Sequence, residues 1–334
     1  YYYYYTMNLS SIIWLQRLTK ATVFFTLFLI FVGALVKSHE VGLSVPDWPT
    51  TYGKQMFAFP LSDMVGGIFY EHGHRMMATF VGFITLVQTI CLGFSNQQRW
   101  VKKTAYASLL LVIIQGIFGG ITVLFFLPPV ISIIHGVLAQ SFFVFTILIA
   151  YGISNERSRR IEDNESLEVK KYSLIILVMV YIQLILGALM RHTASGLAIP
   201  DFPTMGGAWI PTFSDTMINN INVILFDMDI DMVNRYQVII HFTHRLGALI
   251  ISGTIGYFLY RHGYLIKKNQ IVMKTVRWII ILLLAQLTLG VFTILSEKSP
   301  YIASFHVVVG AAFLGLCTLL VLRSHPIRWI DWKS

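Results

Sequence analysis

The stretch Gly42-Leu43-Ser44-Val45-Pro46-Asp47-Trp48-Pro49-Thr50 returns later in the chain as Gly196-Leu197-Ala198-Ile199-Pro200-Asp201-Phe202-Pro203-Thr204. The positions that differ, Ser/Ala, Val/Ile and Trp/Phe, are close substitutes. An internal repeat of this kind sets the architecture of the chain. Glu71-His72-Gly73-His74-Arg75 follows the first copy, and His241-Phe242-Thr243-His244-Arg245 follows the second. Further on, Gln115, Gly119 and Thr122 are matched by Gln286, Gly290 and Thr293, and His135 is matched by His306. The chain therefore holds two copies of one unit.

The unit is a set of four membrane spans. Eight apolar stretches, near 21–37, 72–95, 104–127, 130–151, 172–190, 236–260, 276–295 and 301–322, approach the roughly 20 residues a helix needs to cross a bilayer. Of the 334 residues, 56% are hydrophobic and only 12% charged, with mean hydropathy +0.68. A soluble domain carries about a quarter charged residues, so the deficit marks surface that faces lipid. The expected fold is an all-α polytopic membrane protein with eight transmembrane helices in two four-helix bundles. Both copies begin on the same side of the membrane, so the repeat is parallel and a pseudo-twofold axis along the membrane normal is expected. The bundles are placed at 7–155 and 172–334, with a cytoplasmic linker at 156–171. Residues 1–6 are set aside: the Tyr1–Tyr5 run reads as an artefact or placeholder and Met7 as the natural start. The first span lacks a small-residue cleavage site and leads into a second span, which argues against a cleaved signal peptide.

Basic residues orient the spans. With the N-terminus inside, only Lys37, Lys54, Arg75, Arg191, Arg235, Arg245 and Lys298 of the 25 Lys and Arg fall outside the cytoplasmic segments. Both termini are then cytoplasmic, and the long loops 38–71 and 191–235 lie outside. The net charge of +9 is explained by this topology and requires no nucleic-acid partner. Loop 191–235 has an amphipathic middle (Ile218, Ile221, Val223, Ile224, Leu225, Phe226) suited to the membrane interface. Its acidic run Asp227, Asp229 and Asp231 reads as a solvated face, since no Gly turn or closing Glu completes a calcium loop. Cys91 and Cys317 fall inside apolar stretches and form no metal or redox pattern.

Ionisable residues inside membrane helices are costly and usually functional. Each unit places one His near the outer end of its second span and one near the outer end of its fourth: His74 with His135, and His244 with His306. Two imidazoles from facing helices of a bundle can ligate a haem iron axially. Hydrogen bonding between helices is the plainer alternative, and zinc is disfavoured because no carboxylate or thiolate set completes a tetrahedron. Arg75 and Arg245 suit a haem propionate clamp, or else snorkel to lipid headgroups. Glu71 shares a helix face with His74, whereas the second unit has His241 at that position. Chemistry confined to one copy would leave such an asymmetry; capping of the helix N-terminus is the alternative. His72 and His241 have no role assignable from spacing, and His39, His192, His262 and His325 read as solvated.

The loop signature at 42–49, Glu71-x-x-His74-Arg75 and the histidines of the fourth, sixth and eighth spans together resemble the haem A synthase family, over nearly the whole chain after Met7. The resemblance implies an enzyme of the plasma (inner) membrane that oxidises the C8 methyl of haem O to the formyl group of haem A. It implies successive hydroxylations with loss of water from a geminal diol. His74 and His135 would flank the substrate haem and His244 and His306 would ligate a resident haem b, with Glu71 as the catalytic acid/base. The Phe-rich first and fourth spans (Phe24, Phe25, Phe28, Phe31; Phe142, Phe143, Phe145) would meet the farnesyl tail or ordinary lipid. An electron partner is required but not identified; haem O synthase and cytochrome oxidase assembly factors are the partners the resemblance suggests, and a homo-oligomer stays open. The chain departs from family members that carry a cysteine pair in an outer loop, so no thiol relay is expected. Competing readings are a di-haem transmembrane electron-transfer cytochrome and a haem transporter.

Overall fold

The computed structural model describes residues 9–159 and 165–325. Residues 1–6, Met7, Arg160, Arg328 and Lys333 lie outside the described residues. The described chain forms α1 (Leu9–Ser38), α2 (Gly67–Gly93), α3 (Arg99–Leu124), α4 (Pro129–Gly152), α5 (Asn155–Arg159), α6 (Leu167–His192), α7 (Asp215–Asp227), α8 (Arg235–Ile266), α9 (Gln270–Leu295) and α10 (Pro300–Ser324). All except α5 and α7 are long and apolar enough to cross a bilayer, matching the eight expected spans.

Local chemistry, more than hydropathy, sets where these helices begin. The Ser166 hydroxyl accepts from the Val169 N–H, so α6 opens at Leu167, inside the stretch read as linker. Asn234 and Gln237 form a reciprocal capping box that opens α8. Pro129 and Pro300 occupy first turns, where a missing N–H leaves nothing unsatisfied.

Helices α1, α2, α3 and α4 close a ring, each against the next and α4 against α1. Helices α6, α8, α9 and α10 close a second ring. The rings meet through α1 on α10, α4 on α6 and α4 on α10. Exchanging the halves turns the first of these contacts into the second and maps the third onto itself. That reciprocity is compatible with a pseudo-twofold axis between α4 and α10.

The interior of the second ring is a continuous apolar core that includes Ile176, Val180, Ile255, Phe258, Ile279 and Leu314, all buried. The first ring buries Leu15, Leu92, Trp100, Val101 and Ile149. Phe24 and Phe28 face outward, while Phe142 and Phe143 are buried. At the seam, Phe143, Ile147, Tyr151 and Leu322 pack with Val23, Leu27 and Ile30. Gly315 brings α10 close, since a Cβ there would stand 3.0 Å from Ile147 and 3.1 Å from Phe143. Polar bonds also cross the seam. Ser141 and Tyr181 share one at 2.6 Å, and Ser304 donates to Ser38 at 3.0 Å. Arg191 of α6 donates to the Ala34 carbonyl (2.6 Å) and the Ser38 hydroxyl (2.8 Å) of α1.

Both long connections emerge at one end of the bundles, called here the loop end. In the second, Met217, Ile218, Ile221 and Leu225 of α7 pack on Ala198, Ile199, Val233 and Val238. Val223, Ile224 and Phe226 remain exposed on its other side. Asp227, Asp229 and Asp231 are exposed, as a solvated face requires. Cys91 and Cys317 are free thiols set away from the loop end.

Hydrogen bonds from a charged donor contribute about 1.5–3 kcal/mol. Replacing Arg191 by Met is therefore expected to lower stability by about 1–3 kcal/mol, read as a reduced Tm of the detergent-purified protein. An unchanged Tm would show that Arg191 does not hold the seam.

Candidate functional site

Each long connection is a structured lid. Asp47 Oδ2 accepts from the Thr50 hydroxyl (2.5 Å) and the Gly53 N–H (2.9 Å), and Oδ1 accepts from the Tyr52 N–H (2.8 Å). Asp201 accepts from the Gly206 (2.7 Å) and Gly207 (3.0 Å) N–H groups. Gly53, Gly206 and Gly207 all have positive φ, so the turns need glycine. Isolated bridges, Thr51 with Lys54 and Met205 with Ala208, close both turns at matched places.

A guanidinium holds each lid to its helix. Arg75 Nη1 donates to the Asp47 (2.7 Å) and Thr50 (3.0 Å) carbonyls, and Nη2 to the Val45 carbonyl and the Glu71 carboxylate, both at 2.7 Å. Arg245 repeats the pattern on Thr204 (3.1 Å), Ile199 (2.8 Å) and Asp201 (2.9 Å). Both terminal amino groups of each Arg are thus committed to lid backbone, and snorkelling to lipid headgroups does not describe them.

Glu71 is the fifth residue of α2, beyond the free N–H groups of the first turn, and α2 has no side-chain cap. Capping is therefore not its role. Buried at 4% exposure, its Oε2 accepts the lid N–H of Val45 (2.7 Å) and its Oε1 meets Arg75. His241 fills the same position in the second half: the Ile199 N–H points to its Nδ1 (3.3 Å) and Arg245 Nε to its Nε2 (3.0 Å). His72 shares a hydrogen bond with Thr51 (3.0 Å) and packs on Phe59. Spacing alone assigns neither histidine, because the lid groups they meet, the Thr51 hydroxyl and the Ile199 N–H, are distant in sequence.

Below the lids lie the four repeat-matched histidines, each against a glycine of a neighbouring helix. A Cβ at Gly33 would stand 2.9 Å from the His74 ring, and at Gly119 3.4 Å from His135. The corresponding distances are 3.3 Å for Gly187 and His244, and 3.2 Å for Gly290 and His306. The rings of His244 and His306 are 6.5 Å apart, centre to centre, at 71°. Two imidazoles sharing one metal between them should sit roughly 6 Å apart, counting about 2 Å per metal–nitrogen bond and about 1 Å from nitrogen to ring centre. His135 and His306 also each bury an Nδ1 without a hydrogen-bond partner. An orphaned buried nitrogen at matched positions fits a site meant to hold a ligand. The donor set suits a haem iron between paired imidazoles.

The other histidines differ from expectation. His39, His192, His262 and His325 are half-buried, not solvated. His39 stacks on Tyr70 at 4.5 Å with Tyr301 at 5.4 Å, and His262 lies 5.2 Å from Tyr172. Aromatic neighbours supplied by other helices shield both rings, and sequence position alone does not show this.

The lids should respond to acid in a defined window. Partial burial pushes the Asp47 carboxyl up, but the donors from Gly53, Thr50 and Tyr52 outweigh it and hold it at about 2, below its ordinary 3.8. Asp201 is lowered in the same way, its burial opposed by Thr204, Gly207 and Gly206. A depressed carboxyl stabilises above its unfolded value and loses that contribution as pH falls through the folded one. Lid order is thus expected to be constant from neutrality to about pH 4 and to fall toward pH 2. Limited proteolysis of loop 38–71 after acid incubation reads this out; Asp47→Asn should be cleaved faster at neutral pH and lose the acid dependence of that step. A wild-type transition near neutrality would contradict the assignment.

A family model described as "Cytochrome oxidase assembly protein" matches residues 16–318. The heme A synthase of Shewanella oneidensis is 25% identical, over 93% of this chain and 95% of the relative. The heme A synthase of Rickettsia prowazekii is 27% identical over 86% and 91%, and that of Halalkalibacterium halodurans 24% over 87% and 91%. The family match takes in both lids, both clasps and all four matched histidines, and the chain belongs to the cytochrome oxidase assembly protein family.

Proposed function

We propose that the protein is a haem A synthase, oxidising the C8 methyl group of haem O to the formyl group of haem A in its first half. One observation carries the assignment of halves: equivalent sites hold paired histidines and an Arg clasp, but only the first has a buried carboxylate, Glu71, where the second has His241. His74 and His135 flank the substrate haem, and His244 and His306 hold a haem b. When bound, haem b supplies one-electron transfer, the chemistry that bis-imidazole ligation favours. With water as the source of the formyl oxygen, oxidation of the methyl group releases protons and electrons, so an electron acceptor outside this chain, such as O2, takes up the electrons. Glu71 accepts the protons or stabilises positive charge as it develops. Arg75 and Arg245 bear on the haem edge through the lids they fix, and any propionate contact is left to a guanidinium whose terminal amino groups already serve the lid. The excess of basic residues toward the opposite end supports a topology with both termini in the cytoplasm and the lids at the outer face of the plasma membrane.

Glu71→Gln is expected to retain bound haem and to lower conversion of haem O by about 10²–10⁴-fold, the span of general acid–base catalysis. Pyridine haemochrome analysis with mass spectrometry measures both. Normal haem A production by the variant would remove Glu71 from the mechanism, and a wild type that never alters haem O would favour an electron-transfer cytochrome. His244→Ala or His306→Ala is expected to abolish the low-spin haem b spectrum. Persistence of that spectrum in both variants would overturn the second site.

A further inference from the structure

Three of the four matched histidines are held by more than a glycine. The helix that presents each cradle glycine also presents a glutamine four residues earlier: Gln115 before Gly119, Gln183 before Gly187 and Gln286 before Gly290. At this spacing the two residues share one helix face. Gln115 Nε2 donates to the His135 carbonyl at 2.9 Å and lies 3.5 Å from its ring nitrogen. Gln183 Nε2 donates to the His244 carbonyl at 2.8 Å and lies 3.2 Å from Nδ1. Gln286 Nε2 is 3.3 Å from His306 Nε2. Room for two of these amides is cut into the ligand helices. A Cβ on Gly247 would collide with Gln183 Oε1, and one on Gly310 would stand 3.1 Å from Gln286 Nε2.

The cradle of His74 is different. On α1 the residue four before Gly33 is Leu29, and the α2 position matching Gly247 is Met77. The polar amide and its notch are both replaced by apolar side chains, on the half that also carries Glu71.

An imidazole that binds iron through one nitrogen keeps an N–H on the other, and that N–H needs an acceptor. Gln115 and Gln286 each bury an amide oxygen with no partner, beside histidines whose Nδ1 is likewise buried and unpartnered. The ring nitrogen that each of these amides faces is Nε2, so a turn of the amide brings its oxygen to an Nε2 N–H and leaves the unpartnered Nδ1 open to the ligand. We propose that Gln115, Gln183 and Gln286 are positioning residues that fix the tautomer and ring orientation of His135, His244 and His306. The Leu29–Met77 pair leaves His74 as the one imidazole without such a restraint. This inference rests on the haem reading above. It makes the second half a site with both ligands locked, and the first a site locked on the His135 side and free on the other. A resident group suits the former, and a substrate that must enter and leave suits the latter.

The test uses the purified, haem-loaded protein. Gln183→Met and Gln286→Met keep side-chain volume and remove the hydrogen bonds. Each is expected to speed haem b transfer to excess apomyoglobin by about 10–100-fold, the usual loss when an outer partner of a ligating His is removed. Each should also shift the highest g value of the ferric low-spin EPR signal, which reports imidazole orientation and does not follow from loosened packing elsewhere. Gln286→Glu keeps an acceptor oxygen and should restore retention even where Gln286→Met accumulates no haem; failure to restore overturns the proposal. Leu29→Gln with Met77→Gly should slow release of haem O, and an unaltered rate overturns the assignment of His74. Wild-type retention and g values in both Met variants overturn the inference while leaving the haem reading intact. A wild type with no low-spin haem overturns both.

Discussion

Three lid carbonyls converge on one guanidinium in each half, and the loop end depends on that convergence. Main-chain carbonyls in a connection without regular structure need donors, and at the edge of a bilayer water is a poor supply. Arg75 collects those of Val45, Asp47 and Thr50, and Arg245 those of Ile199, Asp201 and Thr204. Each Arg directly follows a cradle histidine, so lid and imidazole are fixed from the same turn of helix. A shift of the lid is felt at the ring below it. Glu71 tightens this arrangement by taking an N–H from the lid as well as a contact from the Arg, and it becomes buried in consequence.

The two halves support each other through small residues and hydroxyls as well as through large apolar side chains. Gly315 admits Ile147 and Phe143, and Ser38 receives both Ser304 and Arg191. Lipid tails offer apolar groups no reason to leave them, so close packing and polar bonds must supply the attraction between helices. At the level of whole helices the seam is reciprocal, α1 meeting α10 as α6 meets α4, while its individual polar bonds differ between the two sides.

Much of the architecture was legible because its signals repeat or are strong. Hydropathy located all eight spans, and the nine-residue lid signature with its following His-Arg gave the repeat. The histidine set was legible too, since ionisable groups inside apolar helices are conspicuous. Partnerships with main-chain atoms were not. Nothing in Arg75 or Glu71 as letters indicates a carbonyl or an N–H of a distant loop, so from sequence headgroup snorkelling and helix capping are open to them as well. Helix starts depended on single caps such as Ser166, to which a hydropathy window is blind. The half-burial of His39 arises from Tyr70 and Tyr301, which come from two different helices. The Gln and Gly of the third and seventh spans were visible as a motif, but their relation to the histidines required the packing of adjacent helices.

The exchange of Glu71 for His241 has an electrostatic consequence. The first clasp combines the cation Arg75 with two carboxylates, Glu71 and Asp47, and the second combines the cation Arg245 with Asp201 and an imidazole. With His241 neutral, the first clasp carries one formal negative charge and the second carries none. The outer charges do not repeat in the same way, since Asp227, Asp229 and Asp231 lie exposed on the second connection, so the difference belongs to the clasps beneath the lids. Whatever lies beneath the first lid meets one more buried negative charge than whatever lies beneath the second, so two near-identical frames offer their contents unlike electrostatic surroundings.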